Sequence, residues 1–69
     1  MKLSARNQFK GKVAGIETGA VNAIVTIDIG GGTIFSAMIS MAAVKDLGLE
    51  VGKDAYAIIK ATSVMVGID

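Results

Sequence analysis

The sequence contains no cysteine, histidine, proline or tryptophan. Without cysteine or histidine it has neither disulfides nor the soft ligands of a structural zinc, the usual staples of a small scaffold. It also lacks the side chains most often used as nucleophile or neutral-pH base. Aromatics are scarce: Phe9, Phe35 and Tyr56 are the only three, too few for a stacking platform along single-stranded nucleic acid. No charge of either sign dominates. Seven Lys and Arg against six Asp and Glu give a net charge of +1, which gives no bulk attraction to nucleic acid or an anionic membrane. The longest apolar stretch, Phe35 to Val44, is broken by Ser36 and Ser40 and is about half the length needed to span a bilayer. The start turns polar at Lys2, Ser4 and Arg6 before an apolar signal region can form. These features predict a cytoplasmic protein without a membrane span, and the missing cysteines agree with a reducing compartment.

What is abundant is small and aliphatic. Of 69 residues, 52% are hydrophobic, more Ala, Val, Ile and Met than one small core can enclose. A chain of this length buries a modest fraction of its surface, so a homo-oligomer is expected. The length allows one domain, residues 1–69.

Nine glycines punctuate the chain. Gln8 to Ile16 reads as a strand, and Glu17-Thr18-Gly19-Ala20 as a turn. From Val21 to Ile29 the period is two: Val21, Ala23, Val25, Ile27 and Ile29 fall on one face, with Asn22, Ile24, Thr26 and Asp28 on the other. Gly30-Gly31-Gly32 can turn the chain at positive φ into a hairpin strand from Thr33 to Ser40. Ser40 then caps a helix over Met41 to Leu47 that stops at Gly48. After a turn at Gly52-Lys53-Asp54, strands are expected over Ala55–Ala61 and Ser63–Ile68. The fold class is all-β: a small five-stranded OB-like barrel with one short helix.

Three possible centres of chemistry fail on inspection. Gly30-Gly31-Gly32 has the composition of an anion nest, but a phosphate loop leads into a helix and this one leads into an alternating strand. Gly48 to Asp54 has three residues between its glycines where a P-loop has four, and Asp54 stands where Ser or Thr is needed. The acids Glu17, Asp28, Asp46, Glu50, Asp54 and Asp69 form no paired or clustered motif, so neither acid–base catalysis nor a metal-cation site is expected.

Two segments remain. Ser4-Ala5-Arg6-Asn7-Gln8 places a hydroxyl, a guanidinium and two amides at the entry to the first strand. Lys60-Ala61-Thr62-Ser63 follows the apolar Tyr56-Ala57-Ile58-Ile59, so that Lys60 is expected to interrupt a strand on the face of Ile58 and Tyr56. Taken singly, Arg6 reads more readily as half of a surface ion pair, and Lys60 as a snorkelling cation that protects an edge strand. Together they hold the inventory for an unprotonated oxyanion: a bidentate planar donor, a point cation, hydroxyls and backbone N–H groups.

With Phe9-x-Gly11 after the first segment, Ile39-Ser40 before Val44-x-x-Leu47-Gly48-Leu49, and Gly52-Lys53 leading to Ile59-Lys60-Ala61-Thr62-Ser63-Val64, the whole chain resembles the molbindins. These are the small molybdenum–pterin-binding-type (Mop) proteins of the TOBE/Mop molybdate-binding domain family. The resemblance implies a homo-hexamer, a trimer of dimers, holding molybdate or tungstate at subunit interfaces by hydrogen bonds without direct coordination or a catalytic cofactor. It assigns Ser4, the Ala5 backbone and Arg6 to one half of the anion site, and Lys60 and Ala61 to the other half on a neighbouring subunit. Ser40 stands where relatives often carry Thr. A second oxyanion site near a threefold axis is implied around Gly19, Ala20 and Val21.

The expected function is therefore non-enzymatic binding, storage and homeostasis of molybdate or tungstate, with no nucleic-acid or membrane partner. The alternatives are an OB-type module for single-stranded nucleic acid or a protein partner, and a pterin binder.

Overall fold

The longest element, β1 (Asn7–Thr18), is the strand on which the others assemble. Its first half, Asn7 to Lys12, pairs antiparallel with β4 (Asp54–Ile59), and its second half, Lys12 to Thr18, pairs antiparallel with β2 (Asn22–Gly30). β3 (Thr33–Ser40) then pairs with β2, giving the sheet order β3-β2-β1-β4. The computed structural model describes residues 1–69.

One strand can serve two neighbours because it bends. A β-bulge between Val13 and Gly15 shifts the β1–β2 register, and a bulge adds twist and curvature to its strand. At Gly11, β1 passes so close to β2 that a Cβ would collide with the Asp28 carbonyl. The sheet therefore curls, and its concave face collects the core: Val13, Ala23, Val25, Ile27, Val44 and Ala57.

The period-two reading of β2 holds at Ala23, Val25 and Ile27. It fails at Val21, which is 72% exposed in the loop before the strand. Gly30, Gly31 and Gly32 take φ of 92°, 63° and 82°, the positive values expected of this turn. Asp28 Oδ1 reinforces it by accepting from Gly30 N–H at 2.8 Å.

The helix α1 (Met41–Leu47) begins and ends where the sequence predicts. Ser40 Oγ accepts from Ala43 N–H at 3.0 Å, and Gly48 closes the helix in the left-handed conformation. Val44 is its buried residue. The Glu50–Lys53 turn then docks on β1 through Gly52 N–H to Val13 O at 2.8 Å and Val13 N–H to Lys53 O at 2.9 Å.

Two expectations need correction. β4 ends at Ile59 and not at Ala61, and Lys60 lies at the entry to a 3-10 turn over Ala61–Ser63. The cause is local: Ser63 N–H donates to Lys60 O at 2.8 Å, which reverses the chain. The expected fifth strand over Ser63–Ile68 does not form within the chain, because that turn leads Val64–Asp69 away from any strand with which to pair. The outer edges of β3 and β4 are consequently unpaired, and the barrel is open along one seam. Val25, Ile27, Ala37, Ile39, Ala55 and Ile58 are among the residues lining an apolar groove of about 360 Å³ at this seam.

Candidate functional site

Antiparallel pairing of β1 with β4 sets Asn7 opposite Ile59. The residues just before β1 and just after β4 must therefore emerge side by side. They do: Ser4, Ala5, Arg6, Lys60, Ala61 and Thr62 line one open depression of about 410 Å³. Segments 54 positions apart in sequence thus meet within a single chain, without the neighbouring subunit to which the resemblance assigned the second half. Thr62 joins the expected residues, and its signal was its place in the Lys60-Ala61-Thr62-Ser63 segment.

The polar side chains of this depression are cations or hydroxyls. The ion pairs of the chain are Lys12 with Asp54 and Lys53 with Glu50, so Arg6 and Lys60 have no carboxylate partner. This disfavours the surface ion-pair reading of Arg6. The backbone N–H groups of Ser4, Ala5, Arg6, Lys60, Ala61 and Thr62 also donate to no acceptor in the chain. Two cationic side chains, two hydroxyls and a set of free N–H groups, with no acid on the wall, form a surface complementary to an anion rich in acceptors.

The two amides of the first segment are turned to the main chain. Gln8 Nε2 donates to Ala5 O at 2.7 Å, and Asn7 Nδ2 donates to Ile59 O at 3.2 Å. Both are engaged with main-chain carbonyls on the rim of the depression.

Ser40 is not brought to this depression. It pairs with Asn22 near the far end of the sheet, beyond the opposite end of β1 from Arg6, a strand of roughly 35 Å at about 3.3 Å per residue. Its hydroxyl caps α1. What it does adjoin is the loop of Gly19, Ala20 and Val21: Gly19 N–H donates to Asn22 O at 2.9 Å, and Met41 N–H donates to Val21 O at 2.7 Å. Of these three loop residues only Gly19 lines the shallow depression of about 200 Å³ there, whose wall includes the carboxylate of Glu17.

Comparison with known proteins adds a second, independent line. The TOBE domain pattern matches residues 3–66. A probable molybdenum-pterin-binding protein of Haemophilus influenzae is 72% identical over 69 residues, covering all of both chains. Among solved structures, MopII from Clostridium pasteurianum superimposes with a TM-score of 0.91 at 42% identity, over 97% of this chain and all of that one. ModG, described as a cytoplasmic molybdate-binding protein and solved with molybdate bound, gives a TM-score of 0.95 at 49% identity. That match covers all of this chain and 49% of the ModG chain.

Proposed function

Since this chain belongs to the TOBE domain family, among its molybdenum-pterin-binding (Mop) proteins, we propose that it binds molybdate, or equally tungstate, in the depression between Arg6 and Lys60. The observation that carries this reading is the convergence of two cations and unengaged N–H groups on a wall without a carboxylate. Molybdate at neutral pH is a tetrahedral dianion with acceptor oxygens on every side. Ser4, the Ala5 backbone and Arg6 hold one side, and Lys60 and Ala61 hold the other. Hydrogen bonds to charged groups contribute about 1.5–3 kcal/mol each. Four or five of them, less ordering and desolvation, reach the roughly 8 kcal/mol of a micromolar complex.

The task is binding without turnover, directed to storage and homeostasis of the anion in the cytoplasm, and it needs no catalytic cofactor. Sulfate is smaller, and donors spaced for molybdate meet its oxygens at longer, weaker distances. Phosphate usually carries a proton, and that donor faces a site already filled with donors. The nucleic-acid alternative is not favoured, since Phe9 and Phe35 stack on each other with centroids 5.2 Å apart.

The working form is a homo-oligomer, and we take the hexamer as its stoichiometry. The exposed surface of the chain is 5313 Å², against about 4,000 Å² for a compact monomer of its mass. Val64, Met65, Val66 and Ile68 are exposed on an unpaired tail, while the apolar seam between β3 and β4 lacks a strand. The tail of one copy supplies that strand to another. In such an assembly Ser40 and the Gly19-Ala20-Val21 loop act across subunit contacts, the loop forming a second oxyanion site near a threefold axis.

Calorimetric titration with molybdate, tungstate, sulfate and phosphate tests the reading. Saturable binding of the first two at micromolar concentration, with sulfate and phosphate far weaker, is expected. Equal affinity for all four, or heat from none, would defeat it. Fluorescence of the purified protein separates a bound pterin from the bare oxyanion.

A further inference from the structure

The side chains of Asn7 and Gln8, which follow Arg6, do not line the depression but bond to the main chain of residues beside or within it. Gln8 Nε2 donates to Ala5 O at 2.7 Å, and Asn7 Nδ2 donates to Ile59 O at 3.2 Å. Each of those carbonyls belongs to the peptide unit whose N–H lies on the next residue, Arg6 in one case and Lys60 in the other. A trans peptide is planar, with its C=O and N–H pointing in opposite directions. Pinning the oxygen therefore fixes where the N–H points.

Resting on the oxyanion reading above, we propose that Gln8 and Asn7 are positioning residues, which hold the Arg6 and Lys60 N–H groups toward the bound anion by tethering the carbonyls of Ala5 and Ile59. The two tethers act on opposite walls. Gln8 closes a local loop, its amide reaching back three residues across a turn that no strand pairing supports. Asn7 reaches across the β1–β4 ladder to the last residue of β4, just where the chain departs into the 3-10 turn. A carbonyl is an acceptor and repels an oxyanion. Left free, the Ala5 peptide can rotate its oxygen toward the depression and its N–H away, whereas the Ile59 carbonyl is already held in the β1–β4 ladder opposite Asn7 and the Asn7 side chain adds a second donor to it. The tether removes that alternative and leaves the site preorganised, so that less ordering is needed on binding. Neither Arg6 N–H nor Lys60 N–H donates to any acceptor in the chain, as a group reserved for a ligand requires.

The test uses the full chain with molybdate as probe, comparing wild type with Gln8→Met, Asn7→Leu and Arg6→Ala. Gln8→Met keeps the length of the side chain and removes its donor. We expect Gln8→Met to weaken molybdate binding by about three- to tenfold, and Asn7→Leu, whose target carbonyl keeps its ladder bond, to weaken it less, with oligomeric state as in wild type. A titration followed by amide NMR gives the readout that a merely structural role does not move. In wild type the Arg6 and Lys60 backbone N–H signals shift strongly on adding molybdate. In Gln8→Met the Arg6 shift shrinks while that of Lys60 persists, and Asn7→Leu shows the converse.

If either variant fails to fold, the wild-type titration still decides. Largest shifts at the Gln8 and Asn7 side-chain amides would make them direct ligands and overturn positioning. Folded variants that bind as tightly as wild type, while Arg6→Ala binds weakly, would overturn positioning and leave the molybdate reading intact. Failure of wild type itself to bind molybdate would remove that reading first.

Discussion

Arg6 and Lys60 carry the charge of the candidate site, and no acid neutralises either of them. Hydrogen bonds to charged groups contribute about 1.5–3 kcal/mol each, and each cation can make more than one to the anion. Arg6→Ala and Lys60→Ala should therefore each weaken molybdate binding by at least roughly 30-fold while the protein still folds, measured by calorimetry and thermal melting. Lys45→Ala on the exposed side of α1 changes charge equally and is the control. Binding by both site variants at the level of the control would remove the assignment. A different residue pair makes a small contribution to acid stability. Lys12 donates to Asp54 Oδ1 at 2.7 Å, and this hydrogen bond, helped by the charges of Lys12 and Lys10, holds the Asp54 carboxyl below its ordinary pKa. A depressed carboxylate stabilises the fold above its unfolded value and loses that contribution as pH falls through its folded value. The loss should lie below about pH 4. It should be small, because both side chains are largely exposed. Thermal melting against pH should show a flatter acid limb in Asp54→Asn than in wild type.

At the scale of the element, two short-range features hold the frame that brings the site together. Ser40 is the N-cap of α1. Ser40→Ala removes that cap and should destabilise the protein by about 1 kcal/mol, lowering the thermal midpoint by about 4–8 °C. Ser40→Thr keeps a capping hydroxyl and should stay close to wild type. An unchanged midpoint in Ser40→Ala would mean that the cap contributes nothing to the fold. Gly11 allows β1 to press against β2 just where β1 passes from one partner strand to the other. A methyl group there meets backbone, which cannot move aside as a flexible side chain can. Gly11→Ala should cost about 1–3 kcal/mol of stability, the usual range for overpacking, read by urea denaturation.

The whole molecule looks like an incomplete object when taken as one chain. Its radius of gyration is 12.7 Å, against about 11 Å for a compact domain of this length, and only six residues are buried. A curled sheet with two unpaired edges and an apolar tail is open to strand addition. Deleting Val64–Asp69 should therefore lower the oligomeric state, measured by light scattering, and lower the thermal midpoint. Binding and assembly should also be linked, because an oxyanion held by the Gly19-Ala20-Val21 loop across a subunit contact stabilises the assembled form. Molybdate should raise the thermal midpoint of the full chain more than that of the truncated one. A truncated chain with unchanged mass and midpoint would show that the tail is not the missing strand.

Elements set by short-range forces were legible in the sequence. The alternation from Ala23 to Ile27, the glycine turn and the Ser40–Gly48 limits of the helix follow from local sterics and capping, which neighbours in sequence determine. The donor-rich segments at Ser4–Gln8 and Lys60–Ser63 were also recognisable as residue types suited to an oxyanion. That the two lie together was not legible, because only the antiparallel pairing of β1 with β4 sets Asn7 opposite Ile59. The tertiary structure likewise decided that Asn7 and Gln8 tether carbonyls and that Ser40 lies far from Arg6. The Ser63–Ile68 segment has the alternation of a strand but gains no partner in its own chain. Periodicity records which residues favour burial, whereas strand formation depends on an edge to pair with, and the fold alone determines where that edge lies.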